Sequence, residues 1–230
     1  MIVRITNKCT MGCHHCMNNS SVDGEHMSCS LFKDSINFVK RYDSEIYLSG
    51  GEPTEHPNLL YFIDLSMKNN LTVYVGSNGS FLDNEEYANS LADLNITVFI
   101  TNDPRFYPKK IRDFSAIKNF VKVNLKDIGP YGRAKKNNIK VGKLKPWCTD
   151  FRDKLSTYKN FREAMLKRNL KCRPSISPEG NVIMGASDCQ AIGDIYQSEE
   201  ILFRNATENY CNKCGLLERF NHSTKIDTGI

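Results

Sequence analysis

The sequence predicts an α/β fold with a parallel sheet, followed by a smaller C-terminal region of different character. From residue 1 to about residue 126, short runs rich in Val, Ile, Tyr and Phe alternate with helical patterns. The 230 residues are 40% hydrophobic, so the chain can bury a full core. No apolar run approaches the ~18 residues of a membrane span, and the composition therefore excludes a membrane-spanning protein.

The predicted elements alternate in order along this first part. Strands are expected at residues 2–6, 45–49, 71–76, 96–101 and 120–125. Ser28 or Ser30 can cap a first helix that runs to about Tyr42. Further helical patterns cover residues 58–68 and 84–94. Repeated βα units of this kind favour parallel pairing of the strands.

The C-terminal part begins with a basic connector over residues 128–149. It contains six basic residues and no acidic one, namely Arg133, Lys135, Lys136, Lys140, Lys143 and Lys145. A helical pattern over residues 150–169 follows the connector. Residues 173–177 and 181–184 then flank the turn formers Pro178-Glu179-Gly180, which predicts a hairpin.

The chain has nine cysteines, and their interpretation depends on whether the protein's cellular compartment is oxidising or reducing. The first residues contain no apolar signal region, so the protein is expected to be cytoplasmic. An odd number of cysteines in a reducing compartment favours metal binding or catalysis over disulfides.

Three cysteines follow the first strand with the spacing C-x3-C-x2-C, namely Cys9, Cys13 and Cys16. Three thiolates on one loop can hold three irons of a cubane cluster and leave the fourth iron open for a substrate. A zinc site is the alternative, with the fourth ligand supplied by His14, His15 or His26.

A second motif stands at the end of the second strand, where Gly50-Gly51-Glu52-Pro53 follows Ser49. Glycines at the carboxyl end of a parallel strand let a ligand approach the backbone, and a glutamate can accept from an ammonium group. A third, weaker signal is the Ser77-Asn78-Gly79 turn after the third strand.

Together these motifs resemble the radical S-adenosylmethionine (SAM) enzymes. The resemblance implies a partial (β/α) barrel of about five to six βα units over residues 1–127, with a 4Fe-4S cluster on the cysteine triad. It implies SAM binding by His15, Gly50, Gly51, Glu52, Pro53, Ser77 and Asn78. Reductive cleavage of SAM would give a 5′-deoxyadenosyl radical that abstracts hydrogen from a substrate, as in an oxidoreductase or isomerase, with a flavodoxin or ferredoxin as electron donor.

A second group of cysteines flanks and follows the predicted hairpin, namely Cys172, Cys189, Cys211 and Cys214. With the segment Gly132-Arg133-Ala134, residues 150–230 resemble the twitch and SPASM domains that hold an auxiliary 4Fe-4S cluster in related enzymes. A structural zinc ribbon is the alternative. Cys29 is interpreted as a small buried hydrophobe, and Cys148 as a cluster ligand, a radical quencher or a packed thiol.

The sequence leaves the substrate and the catalytic residues open. Six cations without a carboxylate would attract phosphate or an acidic peptide, although a solvated loop is the more ordinary interpretation. A peptide residue and a nucleotide or nucleic-acid group are both candidate substrates. The alternative function is a zinc-stabilised nucleic-acid-binding protein without catalytic activity.

Overall fold

The protein is described from a computed structural model, which covers residues 1–124, 128, 131–139, 157–166, 174–184 and 189–208. Its centre is an eight-stranded sheet with the order β5-β4-β3-β2-β1-β6-β7-β8. The strands are β1 (Ile2–Thr6), β2 (Glu45–Gly50), β3 (Thr72–Ser77), β4 (Thr97–Ile100), β5 (Phe120–Lys122), β6 (Pro174–Ile176), β7 (Asn181–Met184) and β8 (Ala191–Asp194). This architecture confirms the predicted α/β fold with parallel strands.

The first five strands pair in parallel, each with the next along the chain. Parallel pairing places all their carboxyl ends at one edge of the sheet. The loops that carry the cysteine triad, the Gly50-Gly51-Glu52-Pro53 turn and the Ser77-Asn78-Gly79 turn all leave this edge. The fold therefore brings the three sequence motifs to a common site.

The helices of the first part are α1 (Cys29–Lys40), α2 (Leu59–Lys68) and α3 (Glu85–Ala92), close to the predicted ranges. Ser28 caps α1, since its side chain accepts from the backbone N–H of Leu31 at 3.2 Å. Asn84 caps α3 in the same way. Serine and asparagine supply the acceptor that the first turn of a helix lacks.

The sheet has two different faces because alternate residues of each strand point to opposite sides. On one face Val3, Ile5 and their neighbours on the adjoining strands are buried in the main core. On the other, which we call the inner face, Arg4, Tyr47, Ser49, Tyr74 and Phe99 follow one another across β1 to β4. The helix side is thus the structural core, and the inner face is free to carry polar groups.

The predicted hairpin is present as β6 and β7, and it extends the main sheet. β6 pairs in parallel with β1 through Ile2 and Ser175, whereas β7 and β8 continue in antiparallel order. The turn between β6 and β7 contains Gly180 with φ +87°, a backbone region that glycine adopts most readily. The edge of the partial barrel beside β1 is therefore covered by the strands that follow later in the chain.

The helix predicted over residues 150–169 is only partly within the described residues, 157–166, and there the prediction was wrong for residues 157–160. These residues form a turn, and α5 spans Phe161–Leu166. Asn160 Oδ1 accepts from the Glu163 N–H at 2.8 Å, and Glu163 Oε2 accepts from the Lys159 N–H at 2.8 Å. This reciprocal arrangement satisfies the backbone donors of a first turn and fixes the start of the helix.

The remaining described helices are α4 (Gly132–Lys136), in the predicted connector, and α6 (Glu199–Glu208), after β8. Within the described residues, no helix combines the length and the hydropathy needed to cross a membrane.

Candidate functional site

The cysteine triad lies in a loop that leaves β1 at the carboxyl edge of the sheet. Cys9 and Cys13 are buried and Cys16 is half-buried, and with Met11 and Tyr107 they form a separate small cluster. The loop is anchored because the Cys9 N–H donates to the Ser21 carbonyl at 2.8 Å. The fold therefore gathers the three predicted ligands into one cluster, two of them buried.

Burial of the loop changes the chemistry of the thiols. It raises the pKa of Cys9 to about 11 and that of Cys13 to about 12, because a thiolate is disfavoured away from water. Without a bound metal, Cys9 and Cys13 are thus protonated at pH 7. Iron binds the thiolate, so loading of the site must release protons.

The glycines of the Gly50-Gly51-Glu52-Pro53 turn pack directly on this loop. The Gly51 N–H donates to the Thr6 carbonyl at 2.7 Å, and the Glu52 N–H donates to the Lys8 carbonyl at 2.8 Å. A Cβ on Gly51 would lie 2.0 Å from the Lys8 carbonyl oxygen, and one on Gly50 would lie 2.1 Å from that of Thr6. Only glycine permits this approach of two backbones.

The carboxylate of Glu52 is fully buried at the centre of the site. Its Oε1 accepts from the Thr54 hydroxyl at 2.7 Å and from the Ser77 hydroxyl at 2.8 Å, and its Oε2 accepts from the Asn78 N–H at 2.7 Å. Burial raises the pKa of Glu52, whereas these hydrogen bonds lower it in part. A cation bound nearby would favour the charged carboxylate.

Asn78 connects the three motifs. Its backbone bonds to Glu52, and its side-chain Nδ2 lies 3.6 Å from Cys9 Sγ. Asn102, just after β4, donates from Nδ2 to the Asn78 carbonyl at 3.2 Å. Asn102 belongs to none of the three sequence motifs, so only the structure adds this residue to the site.

His15 is buried beside the cysteines and packs against the loop after β4. Its ring lies 5.5 Å from the ring of Phe106 and 4.8 Å from that of Tyr107, and its Nδ1 is 3.1 Å from the Phe106 carbonyl oxygen. Burial lowers the pKa of His15, so the ring is neutral at pH 7. The contact of His15 with Phe106 and Tyr107 was not predicted from the sequence.

Helix α4 holds the cysteine loop from the opposite side. The Arg133 N–H donates to the Cys16 carbonyl at 2.9 Å, and its Nε donates to the Cys13 carbonyl at 3.0 Å. Gly132 has φ +54°, and a Cβ there would lie 2.7 Å from the Cys16 carbonyl oxygen. The Gly132-Arg133-Ala134 segment, which resembles the sequence before twitch and SPASM domains, thus also fixes the backbone of the cysteine triad.

The second cysteine group is only partly within the described residues. Cys189 is buried just before β8. Cys172, Cys211, Cys214 and Cys148 lie outside the described residues. Cys29, predicted to be a small buried hydrophobe, packs against the main core at the start of α1 but is only half-buried.

The donors of the first group fit a cluster better than a single ion. Within the described residues, no three His, Cys, Asp or Glu side chains are placed to hold one metal ion. A cubane takes one thiolate at each of three irons, so its ligands surround a volume rather than a point. Three soft thiols in one contact cluster, two of them buried and one half-buried, with an amide N–H beside one sulfur, match that requirement.

Comparison with solved structures finds relatives of similar fold. Two solved structures of BtrN, one "in complex with AdoMet and 2-DOIA" and one in an open conformation, match with TM-scores of 0.55 and 0.53. They are 16% and 18% identical, and the matches cover 98% of this chain and 85% and 83% of theirs. SuiB from Streptococcus suis bound to S-adenosylmethionine matches at 13% identity and a TM-score of 0.46, over 79% of this chain and 58% of its own.

No curated protein sequence matches the chain. The family model of the radical SAM superfamily matches residues 3–168, a range that includes the cysteine loop, the Gly50-Gly51-Glu52-Pro53 turn and the Ser77-Asn78-Gly79 turn. The chain therefore belongs to the radical SAM superfamily and is an enzyme of the kind that cleaves S-adenosylmethionine.

Proposed function

We propose that this enzyme is a radical SAM oxidoreductase or isomerase whose first 4Fe-4S cluster is held by Cys9, Cys13 and Cys16. The observation that carries the proposal is the buried network in which Asn78 bonds to Glu52 and lies beside the Cys9 sulfur. When bound, the cluster supplies the electron that cleaves SAM to methionine and a hydrogen-abstracting 5′-deoxyadenosyl radical. A buried carboxylate beside a thiol site suits a cofactor with an ammonium group and a metal-binding end.

The chain's own residues bind and orient the cofactor in this proposal. Glu52 accepts from the ammonium group, and the two glycines let the end of β2 pack against the cysteine loop, which brings Glu52 close to the proposed cluster ligands. His15 packs against the adenine side, and its neutral ring suits that contact. The proposed SAM-binding residues are His15, Gly50, Gly51, Glu52, Pro53, Ser77 and Asn78.

The proposal is tested by anaerobic reconstitution with iron and sulfide. A brown protein that forms 5′-deoxyadenosine from SAM and dithionite supports it. A colourless protein that takes up zinc and binds nucleic acid would favour the alternative of a zinc-stabilised binding protein. Family membership and the buried Glu52 support the enzyme, because a binding protein has no need of that carboxylate.

We expect Glu52→Ala to weaken SAM binding by about 1–3 kcal/mol, the cost of losing a charge-assisted hydrogen bond in a site shielded from water. The measurement is a calorimetric titration of the reconstituted protein with SAM. Glu86→Ala is the control, because Glu86 is exposed on α3 and far from the motif in sequence. Equal affinities of the two variants would show that backbone groups alone orient the ammonium group.

A second, auxiliary 4Fe-4S cluster is part of the proposal, with Cys172, Cys189, Cys211 and Cys214 as its ligands. The burial of Cys189 supports this set. So does the position of the β6–β7 hairpin, which brings residues of the C-terminal part against β1. Four thiolates would close the site, and closure would contribute to the folding of this part.

Cys211→Ala is expected to lose the iron of the auxiliary cluster while retaining some cleavage of SAM without turnover of a substrate. Iron content, 5′-deoxyadenosine formation and hydrogen exchange over residues 172–215 measure the effect, and exchange should accelerate there. Cys148→Ala is the comparison variant. Iron lost from Cys148→Ala and kept in Cys211→Ala would replace Cys211 by Cys148 in the ligand set.

The proposed enzyme is cytoplasmic and takes its electron from a small reduced protein such as a flavodoxin or ferredoxin. Its substrate carries either a peptide residue or a nucleotide-linked group. The basic residues of the connector support an acidic partner of this kind, since they would attract phosphate or carboxylate.

A further inference from the structure

Arg4 is a buried cation with two guanidinium nitrogens that lack a hydrogen-bond partner within the described residues. It is 7% exposed, and neither Nε nor Nη2 has a hydrogen-bond partner within the described part of the chain. Burial lowers the pKa of its guanidinium. A buried charge is costly unless it is paired. Proteins therefore retain an unpaired buried charge chiefly where a bound ligand supplies the missing partner.

The two unpaired atoms form one edge of the guanidinium. Nε–H and the adjoining Nη2–H point in the same direction and present two parallel donors. This fork matches the two oxygens of a carboxylate or of a phosphate, and such bidentate pairs are the strongest hydrogen bonds of arginine. The free edge of Arg4 therefore has the geometry of an oxyanion receptor.

The charged and titratable neighbours of Arg4 do not pair with this edge. Glu179, in the β6–β7 turn, and Cys189 both act on the Arg4 charge electrostatically. Glu179 Oε1 is already bonded to Asn7 Nδ2 at 3.2 Å, and within the described residues no carboxylate forms an ion pair with Arg4. Neither neighbour supplies the two oxygens that the fork requires.

Arg4 lies on the strand that leads into the cysteine loop, so its Nε–Nη2 edge is close to the proposed reaction site. Arg4 lies on the inner face of β1, in register with Ser49 of β2, and two residues before the strand ends at Thr6. Two residues of strand span about 6.6 Å, so Arg4 lies about that far along β1 from Thr6, where the loop that carries Cys9 begins. Tyr47 and Tyr74 occupy the same face on the neighbouring strands, with Phe99 against both rings at 5.9 and 5.8 Å.

We propose that the Nε–Nη2 edge of Arg4 binds a carboxylate or phosphate group of the substrate on the inner face of the sheet. The inference rests on the proposed function, because it requires a substrate that reaches the cofactor from this face. The tyrosines and Phe99 then contact the remainder of the substrate, and Arg4 fixes its anionic end. Arg4 is a binding residue in this proposal and takes no part in proton or electron transfer.

The test measures anion-dependent stabilisation of the reconstituted enzyme. Thermal melting is followed with increasing inorganic phosphate or acetate, at an ionic strength held constant with chloride. A ligand that binds only the folded state raises the melting temperature. We expect a rise with one of the two anions, and the identity of that anion distinguishes a phosphate group from a carboxylate. A wild-type enzyme that responds to neither would overturn the inference.

Two variants assign the effect to Arg4. Arg4→Met should abolish the anion-dependent shift, and Arg4→Lys, which keeps the charge but loses the fork, should require at least about tenfold more anion. Arg112→Met is the control, since Arg112 is exposed, and it should keep the full shift. A shift that survives in Arg4→Met would place the anion elsewhere.

The same variants separate a ligand site from a structural role. Without anion, Arg4→Met should melt at or above the wild-type temperature, because an apolar side chain removes an unpaired buried charge. A variant that melts well below it, or fails to fold, would make Arg4 a structural cation and overturn the inference. Iron lost from Arg4→Met would overturn it too, by showing that the partner of Arg4 is an auxiliary cluster at Cys189.

Failure of this inference is distinguishable from failure of the proposed function. Formation of 5′-deoxyadenosine from SAM by the wild-type enzyme, measured in the same preparations without substrate, tests only the proposed function. Cleavage without an anion shift overturns the Arg4 site alone. An anion shift without cleavage overturns the proposed reaction, and with it the assignment of the anion to a substrate.

Discussion

Replacing Cys9, Cys13 and Cys16 together by alanine is expected to abolish reductive cleavage of SAM and to lower the iron content by about half. The reason is that the three thiols form one buried group, so no other described cysteine is near enough to replace them. The auxiliary cluster should remain, because its proposed ligands lie elsewhere in the chain. Iron analysis and 5′-deoxyadenosine formation after anaerobic reconstitution measure the two effects.

Cys29→Ala is the matched control for the triple variant. Cys29 is a free, half-buried cysteine that packs against the main core and not against the cysteine loop. It should keep both the iron and the cleavage activity of the wild type. Full iron content in the triple variant would show that these cysteines do not hold a cluster.

Gly51→Ala is expected to destabilise the protein by at least about 3 kcal/mol and to abolish SAM binding. The added Cβ would lie 2.0 Å from the Lys8 carbonyl oxygen and 2.6 Å from its carbon, and backbone atoms cannot move aside as a flexible side chain can. The β2 end must then separate from the cysteine loop. This would break the Gly51 N–H bond to the Thr6 carbonyl and the Glu52 N–H bond to the Lys8 carbonyl.

The free energy of unfolding in urea measures the stability loss. Gly12→Ala is the comparison variant, because a Cβ there meets no atom within 4 Å and only the positive φ of +66° opposes it. That strain should cost about 1–2 kcal/mol. If the two variants unfolded with the same free energy, the close contact between the β2 end and the cysteine loop would be wrong.

The sequence alone determined those features that depend on neighbours along the chain. The alternation of β-rich and helical runs predicted five parallel strands within a residue or two for most of them, and Ser28 was one of the two serines predicted to cap the first helix. The three motifs follow the first three strands, so the rule that parallel strands share their carboxyl edge was enough to place them together. The cysteine triad and the Gly50-Gly51-Glu52-Pro53 turn therefore indicated the family without a structure.

Only the tertiary structure decided the contacts between distant segments. Arg133 Nε bonds to the Cys13 carbonyl across 120 positions, and β6 pairs in parallel with β1. Periodicity carries no information about either contact, because each depends on how a later segment packs against the finished sheet. The sequence did not single out Arg4 for the same reason, because one arginine in a β-rich run is ordinary. It becomes informative only when the packed strands bury its Nε–Nη2 edge without a hydrogen-bond partner among the described residues.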